Sequence, residues 1–219
     1  MGPWRGNDEI AYLSVGASRP APQEVVDRCL GTLRKHGFSS VVTNALAPGD
    51  ALPFVDAGFV VREQLHLLSH DLRDLPAAER RTRRARKTDR APVLAIDKLA
   101  FAPFWQLDAR GLTNAIGATP SSRFRITPRD GDEGEITAYA ITGRAGIHGY
   151  LQRVAVHPDE KRQGLGTAVV ADGLAWLKRH GVSRCLVNTQ SDNSSALALY
   201  RACGFSEQPV GLCVMGRSL

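Results

Sequence analysis

The chain has 219 residues, 43% of them hydrophobic, with 28 Lys and Arg against 22 Asp and Glu and a net charge of +6. That composition supports a real hydrophobic core, in one large domain or two small ones, and excludes a disordered chain. No apolar run approaches the ~20 residues of a membrane-spanning helix, and the opening MGPWRGNDE lacks the apolar stretch of a signal peptide, so a cytoplasmic protein without membrane association is expected.

Taken in order, residues 10–15 form a first candidate strand. Val26, Leu30 and Leu33 then recur at helical spacing, residues 40–43 read as a strand, and residues 51–57 as a short helix. Residues 63–69, with alternating Leu65 and Leu67, make the last strand of this region, and residues 71–79 cross to the next.

Residues 80–90, RRTRRARKTDR, carry seven of the basic residues and one acidic one, so the rest of the chain is neutral. The run has no interleaved aromatics and no recognisable nucleic-acid fold beside it, which argues against nucleic acid as partner. It reads as a solvated linker leading into a strand within residues 81–87. A helix over residues 91–100 follows, with Asp89 or Pro92 near its start. FAPFW (residues 101–105) is either core packing or the lining of an acceptor pocket. Asp108 starts a second helix through Ile116.

Residues 123–127 and 135–143 alternate as an antiparallel pair across a turn at residues 130–134, feeding a strand over residues 148–156. Pro158 and Asp159 end that strand. Gly164 and Gly166 let the backbone pass close to a ligand, and Val170, Leu174 and Leu177 mark a helix that begins at or near Gly166. A turn of this kind aims several unpaired amides at one spot, at the positive end of a helix dipole, with Lys161 and Arg162 beside it: an anion site. Gly164-Leu165-Gly166 fits neither the P-loop nor the dinucleotide fingerprint. A strand over residues 184–187, a helix over residues 194–202 and a strand over residues 210–216 complete the chain.

Two stretches are copies of one another. Shifted by 144 positions, residues 25–44 (VVDRCLGTLRKHGFSSVVTN) lie over residues 169–188 (VVADGLAWLKRHGVSRCLVN), and after a two-residue deletion Gly58-Phe59 meets Gly204-Phe205. Val26, Leu30 and Leu33 repeat the helix face of Val170, Leu174 and Leu177. In the first copy the segment from 16 to 24 has no Gly-x-Gly, and Phe54 stands where Tyr200 stands in the second.

The strand, KRQGLG, the amphipathic helix, the next strand and then Asn193-x-x-Ala196-x-x-x-Tyr200-x-x-x-Gly204-Phe205 together resemble the GNAT superfamily of acetyl-CoA-dependent N-acetyltransferases, over roughly residues 80 to 219. The family's phosphate motif is Arg/Gln-x-x-Gly-x-Gly/Ala; Lys161 at its first position keeps a cation and loses the guanidinium fork. The resemblance implies an α/β (α+β) fold with a mixed, mostly antiparallel sheet and helices on both faces. It makes residues 91–219 the catalytic domain, residues 76–90 a basic linker with a possible first strand, and residues 1–75 a degenerate half-domain, in an arrangement similar to tandem acetyltransferases such as mycothiol synthase. That half should have no ligand chemistry of its own, and its open edges should pack against the second domain or against its counterpart in a homodimer.

The resemblance further implies acetyl-CoA as cosubstrate and a primary amine as acceptor, on a protein or a small molecule. The diphosphate would sit on the amides of Arg162, Gln163, Gly164, Leu165, Gly166 and Thr167, with charge added by Lys161 and Arg162. The pantetheine arm would pair with the backbone of Val154, Ala155 and Val156, and Asn193 would hold it. Tyr200 would protonate the departing thiolate, a role that suits a phenol whose ordinary pKa is near 10. A non-catalytic CoA-binding sensor or scaffold is the alternative. Where the similar ribosomal-protein alanine acetyltransferases carry a glutamate, five residues before the motif asparagine, this chain has Asn188. His148 and Glu135, on neighbouring strands, are the candidate bases, and a water chain is equally open. Cys29, Cys185, Cys203 and Cys213 stand singly and no carboxylate cluster is present, so buried thiols and no metal are expected.

Overall fold

A computed structural model describes residues 2–5, 7–14, 22–129 and 131–219. The chain divides into two compact units, one of Met1–Leu67, Asn188–Ser194 and Glu207–Leu219, the other of Leu68–Val187 and Ser195–Ser206.

The first unit contains β1 (Gly2–Trp4), β2 (Asn7–Leu13), α1 (Gln23–Lys35), β3 (Ser40–Thr43), α2 (Pro48–Asp56) and most of β4 (Val60–His70). The second contains β5 (Arg83–Arg84), α3 (Arg90–Ala100), α4 (Ala109–Gly117), β6 (Ser121–Arg129), β7 (Asp132–Ala145), β8 (His148–Val156), α5 (Leu165–Arg179), the start of β9 (Arg184–Gln190) and nearly all of α6 (Ser194–Ala202). The short β10 (Ser206–Glu207) pairs with β4, and β11 (Leu212–Ser218) returns the chain to the first unit.

In the first unit β1 and β2 are antiparallel, β2 and β3 parallel, and β11 lies antiparallel between β3 and β4. Its core gathers Leu13, Val26, Leu30, Phe54, Phe59 and Met215. The hairpin strand β1 extends this copy beyond the half-domain expected from the sequence. The expectation of a missing phosphate turn falls mostly on residues 15–21, outside the described residues.

The two similar stretches also share hydrogen bonds. α1 and α5 both end on a histidine whose Nδ1 lies 2.8 Å from the carbonyl four residues back, His36 on Thr32 and His180 on Trp176. Each is followed by a glycine at positive φ, and the next N–H reaches back five residues, Phe38 to Leu33 O (3.3 Å) and Val182 to Leu177 O (3.2 Å). α2 and α6 close the same way at Gly58 and Gly204, with Phe59 N–H on Phe54 O (2.9 Å) and Phe205 N–H on Tyr200 O (3.0 Å). All four ends are Schellman motifs, in which a left-handed glycine lets the last carbonyls find donors.

The second unit is a mixed sheet in the order β9-β8-β7-β6-β5, parallel only between β8 and β9. Neighbouring residues of β7 show that helices cover both faces. Ala138 and Ala140 pack with Leu165 and Val169 of α5, while Tyr139 and Ile141 pack with Val93 and Ile96 of α3 and Leu112 of α4. Asp108 caps α4, its Oδ1 accepting from Gly111 N–H at 2.6 Å.

The basic run is tied into this unit at Thr82, Arg83 and Asp89, while Arg81, Arg84, Arg86, Lys87 and Arg90 are exposed to solvent. Thr82 donates to Asp172 Oδ2 (2.9 Å), β5 pairs with β6, and Arg83 holds the largely buried Asp89 through two bonds of 2.7 and 2.9 Å.

Candidate active site

β8 follows β7 with one interruption. Ile141 faces Arg153 and Thr142 faces Leu151, which leaves Gln152 as the extra residue of a β-bulge. The bulge puts consecutive side chains on one face: Gln152 Nε2 reaches Thr119 Oγ1 (3.3 Å) and Arg153 reaches Asp97 of α3, whereas Leu151 packs on the α5 side. On its other edge β8 pairs with β9 only through His148, Gly149 and Tyr150. From Leu151 to Val156 that edge has no strand partner among the described residues. The backbone of Val154, Ala155 and Val156 is therefore available to an extended ligand.

A 3-10 turn at Pro158–Glu160 and left-handed residues at Arg162 (φ 67°) and Gly164 (φ 76°) carry the chain into α5. The first backbone bond of the helix runs from Ala168 N–H to Gly164 O at 3.0 Å, so the amides of Leu165, Gly166 and Thr167 have no intrahelical acceptor. They sit at the positive end of the helix dipole, beside the exposed Lys161 and Arg162.

The two glycines differ in purpose. A Cβ on Gly164 would meet nothing within 4 Å, so glycine serves the positive φ there and leaves open space above the amides. A Cβ on Gly166 would come within 3.0 Å of Leu199 Cδ2, so this glycine serves the approach of α6 rather than that of a ligand. Leu165 is buried and offers only its amide, and Thr167 lies beside the Cys203 thiol. Gln163 braces the turn: its Nε2 donates to Glu160 Oε2 (2.8 Å) and its carbonyl accepts from Arg80 Nε (3.4 Å). Arg129 in turn clasps Glu160 at 2.7 Å.

Tyr200 on α6 is buried, its ring 5.6 Å from that of Phe205. Burial, with Cys203 and Cys185 adding to it, raises its phenol above the ordinary value near 10, and burial pushes the Cys185 thiol up to about 12. Both hold their protons at neutral pH. The phenol makes no hydrogen bond among the described residues, which leaves its proton available for donation. Asn193 lies in the segment Asn188–Ser194 of the first unit, its N–H bonded to Gln190 O at 3.1 Å.

Neither candidate base is placed for that role. His148 is exposed at the first residue of β8, roughly 20 Å from Val154 at the rise of a strand. Glu135 is exposed and paired with Arg129 Nε at 2.7 Å, so it supports the brace on the turn.

The sequence reading missed the group at the centre of the α3 face. Asp97, fully buried, accepts from Arg153 Nε (2.8 Å), Leu107 N–H (2.6 Å) and the Tyr139 hydroxyl. Arg153 also donates to Trp105 O (2.8 Å) and lies over the Phe101 ring, 3.4 Å from its centre. Phe101 also packs against the core of this face, as one of the two sequence expectations had it, and the FAPFW stretch in addition anchors a buried cation. An Asp on a helix and an Arg on a strand 56 positions later carry no spacing signal, so only the fold reveals the pair.

His66 and His70 do stand four apart in the sequence, but on a strand, where that spacing separates side chains by roughly 13 Å. Among the described residues no group of three or more His, Cys, Asp or Glu side chains is arranged to hold a metal, and no helix is long and apolar enough to cross a membrane.

Comparison with known proteins agrees with this geometry. The chain is 35% identical over 77 residues to the [ribosomal protein bS18]-alanine N-acetyltransferase of Escherichia coli (strain K12), a match covering 35% of this chain and 52% of that protein. It is 37% identical over 70 residues to the mycothiol acetyltransferase of Kocuria rhizophila, covering 32% of this chain and 22% of that one. The chain thus spans about half the length, or less, of these curated relatives. In fold it is similar to a tandem GNAT protein from the clavulanic acid biosynthesis pathway, with a TM-score of 0.70 at 16% identity over 97% of this chain and 76% of that one. The Escherichia coli ribosomal-protein-S18-alanine N-acetyltransferase superposes with a TM-score of 0.52 at 22% identity over 63% of this chain and 92% of that one. The sequence model of the acetyltransferase (GNAT) family matches residues 86–205, more than half of the chain, and the protein belongs to that family.

Proposed function

We propose that the second unit is an N-acetyltransferase that moves an acetyl group from acetyl-CoA directly to a primary amine, on a protein N-terminus, a lysine or a small molecule. The observation that carries this reading is the unpaired edge of β8 from Leu151 to Val156, leading to the free amides at the start of α5. The residues fit the cosubstrate. The amides of Leu165, Gly166 and Thr167, with Lys161 and Arg162, supply donors and positive charge for a diphosphate, and the open space over Gly164 admits it. The backbone of Val154, Ala155 and Val156 suits the amide-bearing arm as an added strand. When bound, acetyl-CoA supplies an activated acyl group and a thiolate leaving group.

The chain's own residues do the rest. A backbone N–H at the bulged, unpaired stretch of β8 is available to polarise the acyl oxygen. The Tyr200 phenol, held protonated by burial, gives its proton to the departing sulfur. With His148 at the far end of β8 and Glu135 held by Arg129, the amine proton leaves through water.

The displaced base candidates favour the second reading, a CoA-binding sensor without turnover. A thiol-release assay with acetyl-CoA and a panel of peptide and small amines separates the two. Release of CoA that depends on an amine supports the enzyme; tight acetyl-CoA binding with no release for any amine supports the sensor.

A further inference from the structure

The basic run that the acetyl-transfer reading leaves unused lines a cavity of its own. Arg84, Arg86, Lys87 and Arg90 meet Arg123 and Arg125 of β6 around a space of about 390 Å³, with the half-buried Phe124 in its wall. Trp176, which also touches the cavity, lies 12 residues beyond Gly164 on α5, roughly 18 Å by the rise of a helix. The cavity is therefore separate from the turn at residues 161–167.

Its charge is not balanced. Asp172 is shared by Arg123 Nε (2.5 Å) and Arg125 Nε (3.2 Å), and Asp89 is taken by Arg83. Arg84, Lys87 and Arg90 have no carboxylate partner among the described residues, and Arg86 meets only Asp89, whose Oδ2 accepts from its N–H at 2.5 Å; Arg90 reaches only the Thr113 hydroxyl, at 3.2 Å. Arg123 and Arg179 both repel Arg125, whose guanidinium is also partly stripped of water. Six like charges around one concavity, offset there by Asp172 and Asp89, leave a positive excess that favours entry of an anion.

We propose that this cavity binds a small polyanion carrying two or more phosphoryl groups. The guanidiniums of Arg84, Arg86 and Arg90 and the ammonium of Lys87 match clustered phosphoryl oxygens, each of which accepts from more than one donor, while Arg123 and Arg125, already bonded to Asp172 and Thr82, add charge. The cavity, partly open to solvent, has the volume of a small-molecule site, and Phe124 offers an apolar surface to whatever bears the phosphates. The concavity and the lack of an aromatic track favour such a ligand over a strand of nucleic acid.

The test is calorimetric titration of the full chain with inorganic tripolyphosphate. In the Gly164→Asp background, which closes the turn at residues 161–167 to a polyphosphate, one-to-one binding is expected, weakened at least about tenfold when Arg84→Gln and Arg86→Gln are added, since each of these removes a charge-assisted bond. Both side chains are exposed, so the fold should survive; Lys87→Gln provides a second, smaller loss should the double variant melt early. The parent should hold tripolyphosphate in this cavity with the same affinity as Gly164→Asp, because that substitution alters only the turn. Four results overturn the proposal: no binding of tripolyphosphate, unchanged affinity in the Arg84 and Arg86 variant, loss of binding in Gly164→Asp, or binding of a 20-nucleotide single strand where tripolyphosphate fails to bind.

Discussion

Gly164→Asp tests the anion site most directly, because the structure separates its effects. The backbone there has φ 76°, so any side chain costs about 1–2 kcal/mol in the left-handed region. A carboxylate at the N-cap recovers part of that, about 0.3–1 kcal/mol, from the helix dipole. With no atom within 4 Å of the new Cβ, there is no steric term, and the fold should lose no more than about 2 kcal/mol. Binding should suffer more. A unit charge placed about 4 Å from a phosphate is worth about 1 kcal/mol in water and about 4 kcal/mol at an effective dielectric of 20. The expected loss of acetyl-CoA affinity is therefore about 5-fold to 1,000-fold, shrinking as salt is raised. Gly164→Asn carries similar backbone strain and bulk without the charge and should bind much nearer to the parent. Titration calorimetry of the three proteins, with urea melts to confirm folding, decides the matter. Equal affinities for the Asp and Asn variants would show that no phosphate lies on this turn.

Tyr200→Phe should lower turnover by about 10²-fold while leaving acetyl-CoA affinity and stability nearly unchanged, since the phenol has no hydrogen-bond partner to orphan among the described residues; steady-state kinetics at the parent's rate would reduce Tyr200 to a packing residue. Arg153→Met leaves the Asp97 carboxylate buried without its counter-ion and should cost about 3–5 kcal/mol in urea denaturation. Adding Asp97→Asn, which removes the charge and keeps an acceptor for Leu107 N–H, should restore much of it; a double variant no more stable than the single one would contradict the ion-pair account. Burial lowers the pKa of His70, whose Nδ1 accepts from Leu72 N–H at 2.8 Å. The unfolded chain therefore binds the proton more readily, near its ordinary 6.5. Stability should be level above that pH and fall as the pH drops below it, and melts of His70→Gln should show a flatter profile between pH 6.5 and 5.

Much of the second unit was legible in the sequence because its signals are local. Gly204 after Ala202 ends α6, Asp108 caps α4, and Gly164 opens α5, each through bonds that span five residues or fewer. The similarity of the two stretches was legible for the same reason: the leucine spacing and the His-Gly and Gly-Phe pairs that close the helices lie within each stretch. Strand lengths were read short, as for β6 and β7, because their ends are set by pairing and not by side-chain alternation.

Only the tertiary structure decided the rest. That β11 lies between β3 and β4, 140 or more residues earlier in the chain, follows from which edges are left open, and no residue of β11 announces it. The bulge at Gln152 turns Arg153 toward Asp97, although simple alternation would place Arg153 on the face of Leu151. The basic run looked like a solvated linker because charge in a sequence has no direction. Pairing of β5 with β6 gave it one, setting Arg84 opposite Arg125 and bringing Arg86 to the cavity that Arg123 also lines. Local geometry is written in neighbouring residues, whereas a buried ion pair or a ring of like charges depends on groups that meet only after the chain has folded.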